Sequence, residues 1–482
     1  MKKRGILSLL ALTASLILIL ALLWLAPPTC ANPGLQCVNQ TGSGCDAACN
    51  GCYSSVQAAL NAAANGDEIR IAGGTYSDPG GTVATITKEV WVTGGYDSTC
   101  SVHDPDLYPT ALDAQGGGSV IKIVNTGDVG LMHLTLTGGD GTGNCAPHGC
   151  GGGLYATGTI LHVGHCLVTG NVASTATGRA MGGGIYAHDS AVEIWETHVV
   201  SNTAGTAATD DYADGGGVYV QGGTAELRYN EISDNVGSVP YSGSGGVHLE
   251  GLTHARVLTN TIWGNRSNLS SYWSSAGGLY IRYSSDVYVA SNRIEGNSAG
   301  FASGYGGGVY VDESEVHLTR NVIADNSGGT WNGAGDGVAI HSTLPVTLSN
   351  NLIARNIGGS FGEGVFVERY GPPASQVQLY NNTIVYNGIH GILASYYATV
   401  TMTNNLVAGH EMGITQTHPA SSTVVADTNL FWNGLDLTVG NNAIEDEPRL
   451  TPDYRLRRGS PALNAGLPIL WLTADLDGNP RP

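Results

Sequence analysis

GGVYVDESEVHLTRNVIADN, residues 307–326, is the stretch on which the fold turns. Its apolar residues alternate, Val309 with Val311 and then Val316 with Leu318, which is strand spacing with every second side chain turned to one side. A Gly followed by an aliphatic residue opens the unit, and the pattern N-x-aliphatic-x-x-N, here Asn321 to Asn326, closes it. The Gly-aliphatic signature returns at Gly153, Gly184, Gly217, Gly246, Gly278, Gly308, Gly337, Gly364, Gly391 and Gly413, in steps of 22 to 33 residues. The first slot of the closing signature reads Cys166, Thr197, Asn230, Asn260, Asn292, Asn321, Asn351, Asn382, Asn405 and Asn429.

A period this long marks a stacked array. Helical repeats are excluded because no 3.6-residue stripe appears, and leucine-rich or Ca-binding nonapeptide arrays because their fixed Leu or GGxGxD spacings are missing. Three short strands per turn remain. The variable step, absorbed by loops outside a stacked core, predicts a right-handed single-stranded parallel β-helix, an all-β solenoid of about a dozen coils at ~4.8 Å per coil. Columns in the sequence then become ladders in space. Leu154, Ile185, Val218 and their equivalents to Ile414 form one inward column, and Val168, Val199, Ile232 and their equivalents to Phe431 another. The Asn column is expected to bond amide to amide from coil to coil, each Asn taking the left-handed turn conformation itself.

Composition agrees. Gly makes up 71 of 482 residues with no three-residue period and only 18 Pro, which excludes collagen, and 42% apolar content excludes wholesale disorder. A formal charge of −19 argues against nucleic-acid binding by a basic face.

Residues 1–31 open with MKKRG, run apolar from Ile6 to Ala26 and end in small residues, the pattern of a signal peptide, with an uncleaved N-terminal membrane anchor as the alternative. Beyond the leader, Cys37, Cys45, Cys49, Cys52, Cys100, Cys145, Cys150 and Cys166 crowd the first third of the chain; an even count in an exported protein predicts up to four disulfides. Residues 32–118 read as a disulfide-rich cap with the first coils, 119–440 as the repeats, and 441–482 as a closing segment. Ser54-Ser-Val-Gln57 matches a capping box, opening a helix with Val56, Leu60 and Ala63 on one face that plugs the N-terminal end.

SSVQAALNAAANGDEIRIAGGTY at 54–76, WVTGGYDSTC at 91–100, the GGGIY and NxIxxN repeats, GSPALNAG at 459–466 and DLDGNPRP at 475–482 resemble secreted right-handed β-helix proteins of the pectin-lyase-like superfamily, particularly bacterial chains of the choice-of-anchor type. The resemblance implies the fold and a secreted or cell-surface location.

Alternation puts Tyr155, Tyr186, Tyr219, His248, Tyr280, Tyr310 and Phe366 on the outer face of one sheet as an external aromatic ladder. Loops carrying Tyr241, Tyr272, Trp273, Tyr305 and Trp331 are expected to wall one side of it. Sugar rings stack on aromatic planes, so these residues are the candidate polysaccharide-binding set. Two residues further along each strand, Arg282 falls between Glu250 and Asp312 on neighbouring coils. Glu250, Arg282, Asp312 and His248 are therefore the candidate catalytic groups of a polysaccharide lyase or glycoside hydrolase acting on acidic polymers, although Arg282 is expected to keep both carboxylates ionised. Asp210, Asp211 and Asp214 are candidate Ca²⁺ ligands on a solvated loop. The motifs of polygalacturonases (NTD, RIK) and of alginate epimerases (YGxDPH) are missing. The leading expectation is a monomeric polysaccharide-binding protein, touching a membrane only through its leader; the remaining alternative is a non-catalytic structural or adhesive rod.

Overall fold

The computed structural model describes residues 34–481 apart from 79–80, 177, 207–211, 238–240, 268–272, 301–302, 330–332, 359–361 and 435–439. The leader lies outside the described residues.

Each coil contributes three strands, as in Leu154–Thr157, Ile160–Gly164 and Leu167–Thr169, and each strand pairs in parallel with its equivalent one coil on. The third face is a sheet of 14 strands from Gly74–Ser77 to Ile444–Glu445. The first and second faces join into one set of 25 strands, because in two coils they run on without a break, as Ile185–Trp195 and Val218–Arg228. Both inward aliphatic columns are buried to 2% exposure or less throughout, so successive coils share one continuous dry core.

The Asn ladders form as expected, and there are two. Asn230 through Asn429 bond Nδ2 to the next Oδ1 at 2.9–3.0 Å, and so do Asn171 through Asn387. The left-handed residue, however, is the one before each ladder Asn. Tyr229, Thr259, Ser291 and Arg320 all have φ between 55° and 58°, as do Asn350 and Asn381 at 55°. The turn is made by the preceding residue, and the Asn side chain swings inward to satisfy the carbonyls the corner would leave unpaired, as Asn260 Nδ2 does for Leu227 O at 2.8 Å.

Three disulfides form, Cys37–Cys100, Cys45–Cys52 and Cys145–Cys150, not four. Cys49 and Cys166 are free thiols. Cys166 occupies the Asn-ladder column ahead of Thr197, and its Sγ donates to Leu131 O and Gly164 O, so it does the work of a ladder side chain instead of cross-linking.

The N-terminal coil starts earlier than expected. Leu35–Val38 pairs with Gly51–Tyr53 and with Asp67–Ala72, ahead of the helix Val56–Ala62. The helix cap is Ser55, not Ser54, its side chain accepting from Ala58 N at 3.3 Å; the box does not form because Gln57 then falls one residue short of the position it requires, and Gln57 Oε1 accepts from Thr85 N at 2.7 Å. Val56, Ala59 and Leu60 face the core, and Lys88 Nζ donates to the last carbonyls of the helix. At the other end, residues from 450 onward lie along the outer face of the third sheet, where Leu450, Tyr454, Ala462 and Leu476 pack on Leu352, Val385, Leu406 and Leu430. Among the described residues no helix is long and apolar enough to cross a membrane.

Candidate functional site

The loops beside the aromatic column form a sheet of their own. It has seven short strands: His148–Cys150, Ala180–Met181, Tyr212–Asp214, Tyr241–Ser244, Trp273–Ala276 and Ser303–Gly304 run parallel from coil to coil next to the first face, and Thr142–Cys145 folds back antiparallel on His148–Cys150 at the edge. This added sheet changes the expected exposure of the aromatic ladder. Tyr219 is 0%, His248 1%, Tyr186 4%, Tyr280 5% and Phe366 6% exposed, so the rings are an inner layer and not an open platform. They stack as a column, with centroids 5.6 Å apart for Tyr155–Tyr186 and Tyr186–Tyr219, 4.6 Å for Tyr219–His248, 4.5 Å for His248–Tyr280 and 5.0 Å for Tyr280–Tyr310. Tyr305 continues the stack to Phe366 across the coil where Ala339 interrupts it.

Between the cover strands and this column lies a cavity of about 390 Å³. Arg179, Tyr212, Asp214, His248, Ser274, Ser275, Tyr280, Arg282, Tyr305 and Tyr310 line it. Asp214 is 3% exposed, its Oδ2 held by Arg179 Nη2 at 2.8 Å and its Oδ1 3.7 Å from His248 Nδ1. On the other side of the imidazole, Glu250 Oε2 lies 4.0 Å from Nε2 and accepts the Tyr219 hydroxyl. Both ring nitrogens are buried without a hydrogen-bond partner, and burial lowers the His248 pKa, so the ring is neutral near pH 7 with carboxylates on both flanks.

One coil on, Arg282 Nε is 3.1 Å from Asp312 Oδ2, which also accepts the Tyr280 hydroxyl at 3.2 Å. Arg282 does stand between Glu250 and Asp312 in register, but the ion pair it makes is with Asp312. Burial raises the Asp312 pKa by more than Arg282 lowers it, so the ion pair does not hold this carboxyl below its ordinary range. Burial works against the Arg282 charge as well, but Tyr280, Asp312 and Tyr283 outweigh it and the guanidinium stays charged. Burial pushes the Tyr280 and Tyr310 hydroxyls well above their ordinary range, so both remain protonated donors.

The four expected catalytic groups are thus brought together, and the Tyr column with them. Asp214 is withdrawn from the expected Ca²⁺ set: it is buried against Arg179 and His248 and not on a solvated loop. Asp210, Asp211, Tyr272 and Trp331 lie outside the described residues, and Tyr241 and Trp273 are described through their backbones alone. Arg179 was not singled out by the sequence; its partner is 35 residues away, and the only hint is its place just before a Gly-Gly-Gly-aliphatic unit. The three sulfurs of Cys37, Cys45 and Cys52 lie close together because they belong to two adjacent disulfides, not to a metal centre.

The model of the family described as "Right handed beta helix region" matches residues 152–335 and 301–430. The chain belongs to this right-handed β-helix family. The family is identified by the coils, and the cavity sits within the matched span. Among solved structures, the mannuronan C-5 epimerase AlgE4 A-module of Azotobacter vinelandii is 16% identical over 82% of this chain and 96% of its own, with a TM-score of 0.44. The pectate lyase Pel9A is 12% identical over 94% of this chain and 88% of its own, with a TM-score of 0.27. No curated protein matches the chain.

Proposed function

We propose that this β-helix protein binds a polysaccharide, with one sugar unit seated in the cavity over the Tyr280–Tyr310 steps of the ladder. The observation that carries this reading is the convergence of two guanidiniums on one aromatic-walled cavity: Arg179 and Arg282 keep 35% and 33% of their side-chain surface exposed there. Arginine forks and tyrosine hydroxyls match the hydroxyls and carboxylates of a sugar, and the exposed ring of Tyr212 at the rim offers a face to its apolar side. Three disulfides support an oxidising, extracytoplasmic setting.

A second reading, proton abstraction in a lyase-type elimination, is favoured by one feature, the neutral His248 ring with two unpartnered nitrogens between Asp214 and Glu250. Affinity electrophoresis through gels containing neutral and uronic polysaccharides tests the first reading. The wild-type protein is expected to be retarded by at least one polymer and Arg179→Ala/Arg282→Ala to run free; equal mobility of both proteins in every gel overturns it. An unsaturated-uronate assay on the same polymers, with His248→Phe as the control, separates binding from turnover.

A further inference from the structure

On the C-terminal side of the cavity a second set of rings lies in the open, along the corner between the first and second faces. His341, Tyr370, Tyr396 and His418 follow one another there, with centroids 5.8 Å apart for His341–Tyr370, 6.2 Å for Tyr370–Tyr396 and 3.5 Å for Tyr396–His418. Tyr370 is 69% and Tyr396 39% exposed, in contrast to the Tyr column under the cover sheet. The Tyr370 plane is tilted by 45° and 38° to its two neighbours, so the ring is not closed in between them.

This run is continuous with the cavity. Tyr305, a wall of the cavity, brings its hydroxyl to 3.4 Å from that of Tyr370, and His341 stands one coil beyond Asp312, the partner of Arg282. The rings also begin at the cavity's own level. In the coils before it the same corner carries Asn125, Gly158, Asp189, Gly222 and Gly251, and the first ring is Tyr283, 54% exposed and in contact with Arg282. The loop that presents Tyr370 is tied on several sides. Arg369 Nη2 donates to Glu313 Oε1 at 2.9 Å, its Nη1 to Gly371 O at 2.9 Å and Pro372 O at 3.2 Å, and its backbone N to Tyr396 O at 2.8 Å. A ring fixed in this way loses little freedom when a ligand packs on it.

We propose that these rings continue the glycan site: the chain that seats one unit in the cavity runs on along the rod axis over Tyr370 and Tyr396 to His418. The ligand is then a linear polysaccharide held over several units, not a single sugar; this rests on the polysaccharide reading above. Successive coils lie ~4.8 Å apart, close to the length of one unit of an extended glycan, so the steps from Tyr310 through Ala339, Phe366 and Leu393 to Thr415 leave room for roughly three or four further units. Rings meet the apolar faces of sugars and read none of their charged substituents, so selection among sugars stays with Arg179 and Arg282 while the corner adds affinity that grows with chain length.

The test is chain-length dependence. Affinity electrophoresis through gels of alginate, polygalacturonate and xylan selects a polymer that retards the wild-type protein, and disaccharides and octasaccharides of that polymer then compete with the gel. The octasaccharide is expected to compete more strongly, and Tyr370→Ala/Tyr396→Ala to reduce its advantage over the disaccharide by at least about tenfold. Tyr229→Ala, which removes an exposed ring from another corner, leaves the advantage as it is. Equal competition by the two oligomers in the wild type, or an advantage that survives Tyr370→Ala/Tyr396→Ala, overturns the proposal and leaves the cavity reading standing. A wild-type protein retarded in none of the gels removes both. Because both rings are on the surface, unchanged circular dichroism identifies a variant that has folded.

Discussion

Replacing Asn265 by Ala tests the ladders where they are best isolated. Asn265 is 0% exposed and accepts from Asn235 N at 3.1 Å and from Asn235 Nδ2 at 2.9 Å, while donating to Ile232 O at 2.8 Å and to Asn297 Oδ1 at 3.0 Å. Truncation leaves two donors of Asn235 facing an empty space too small to supply them with bulk water. At about 1–3 kcal/mol per buried unsatisfied group, the loss is about 2–6 kcal/mol. Asn297 Oδ1 still receives the backbone N–H of residue 265 at 3.0 Å, which keeps the damage local. The comparison is Gln378→Ala, an exposed amide in the strand Ser375–Tyr380. Urea unfolding followed by both circular dichroism and tryptophan fluorescence measures the difference, with coincident midpoints required because stacked repeats do not always unfold as one unit. An Asn265→Ala midpoint indistinguishable from that of Gln378→Ala would refute the view that the amide ladder holds the corners.

Three other outcomes follow from buried ionisable groups and thiols. Burial lifts the Glu363 carboxyl to about 8, with Asp336 one coil away adding to the rise, so its contribution to stability is complete below the unfolded pKa of ~4.3 and is lost as pH rises through 8; Glu363→Gln should be more stable than wild type by about 5 kcal/mol at pH 9 and equal to it at pH 4, read from urea midpoints. His248 has the opposite sense: its folded pKa lies below the unfolded value of ~6.5, so stability present above that value falls on acidification, and His248→Phe, which keeps a ring in the stack, should reduce the loss between pH 7 and 5. Cys166, whose thiol burial pushes up to about 12, should react with a thiol reagent only in denaturant, whereas the partly exposed Cys49 reacts in the native state; mass spectrometry of the labelled peptides distinguishes them.

The coils were legible because each inward position repeats the same choice of side chain ten times over, so Val309 and Ile323 confirm one another through every other coil. The cover sheet was not. Its strands are two to four residues long, as in Ala180–Met181 and Ser303–Gly304, and too short to show an alternation. Without that sheet, Tyr219 and Tyr280 read as solvent-facing, and a feature that is interior packing read as an open platform. The lateral Glu250–Arg282–Asp312 register could be counted from the repeat, whereas Arg179 could not, because loop lengths give no register. Cys166 misled for a related reason. Cysteine parity treats thiols as cross-links, but its column, shared with Thr197 and Asn230, already assigned it a turn-satisfying role.

Every amide in the two Asn ladders points the same way: the oxygen of each receives from the coil before, and its nitrogen gives to the coil after. The rod is therefore polar along its length, with two aligned files of amide dipoles whose positive ends face the C-terminal coils, in the manner of a helix macrodipole turned end for end. One file ends at Asn387, beyond which His410 takes the next place, its Nδ1 2.8 Å from Asn387 O and its Nε2 3.1 Å from Ile384 O. Within the stretch they span, the two files give the coils a direction, so the end of each file toward the C-terminal coils is electrically unlike the end from which it starts.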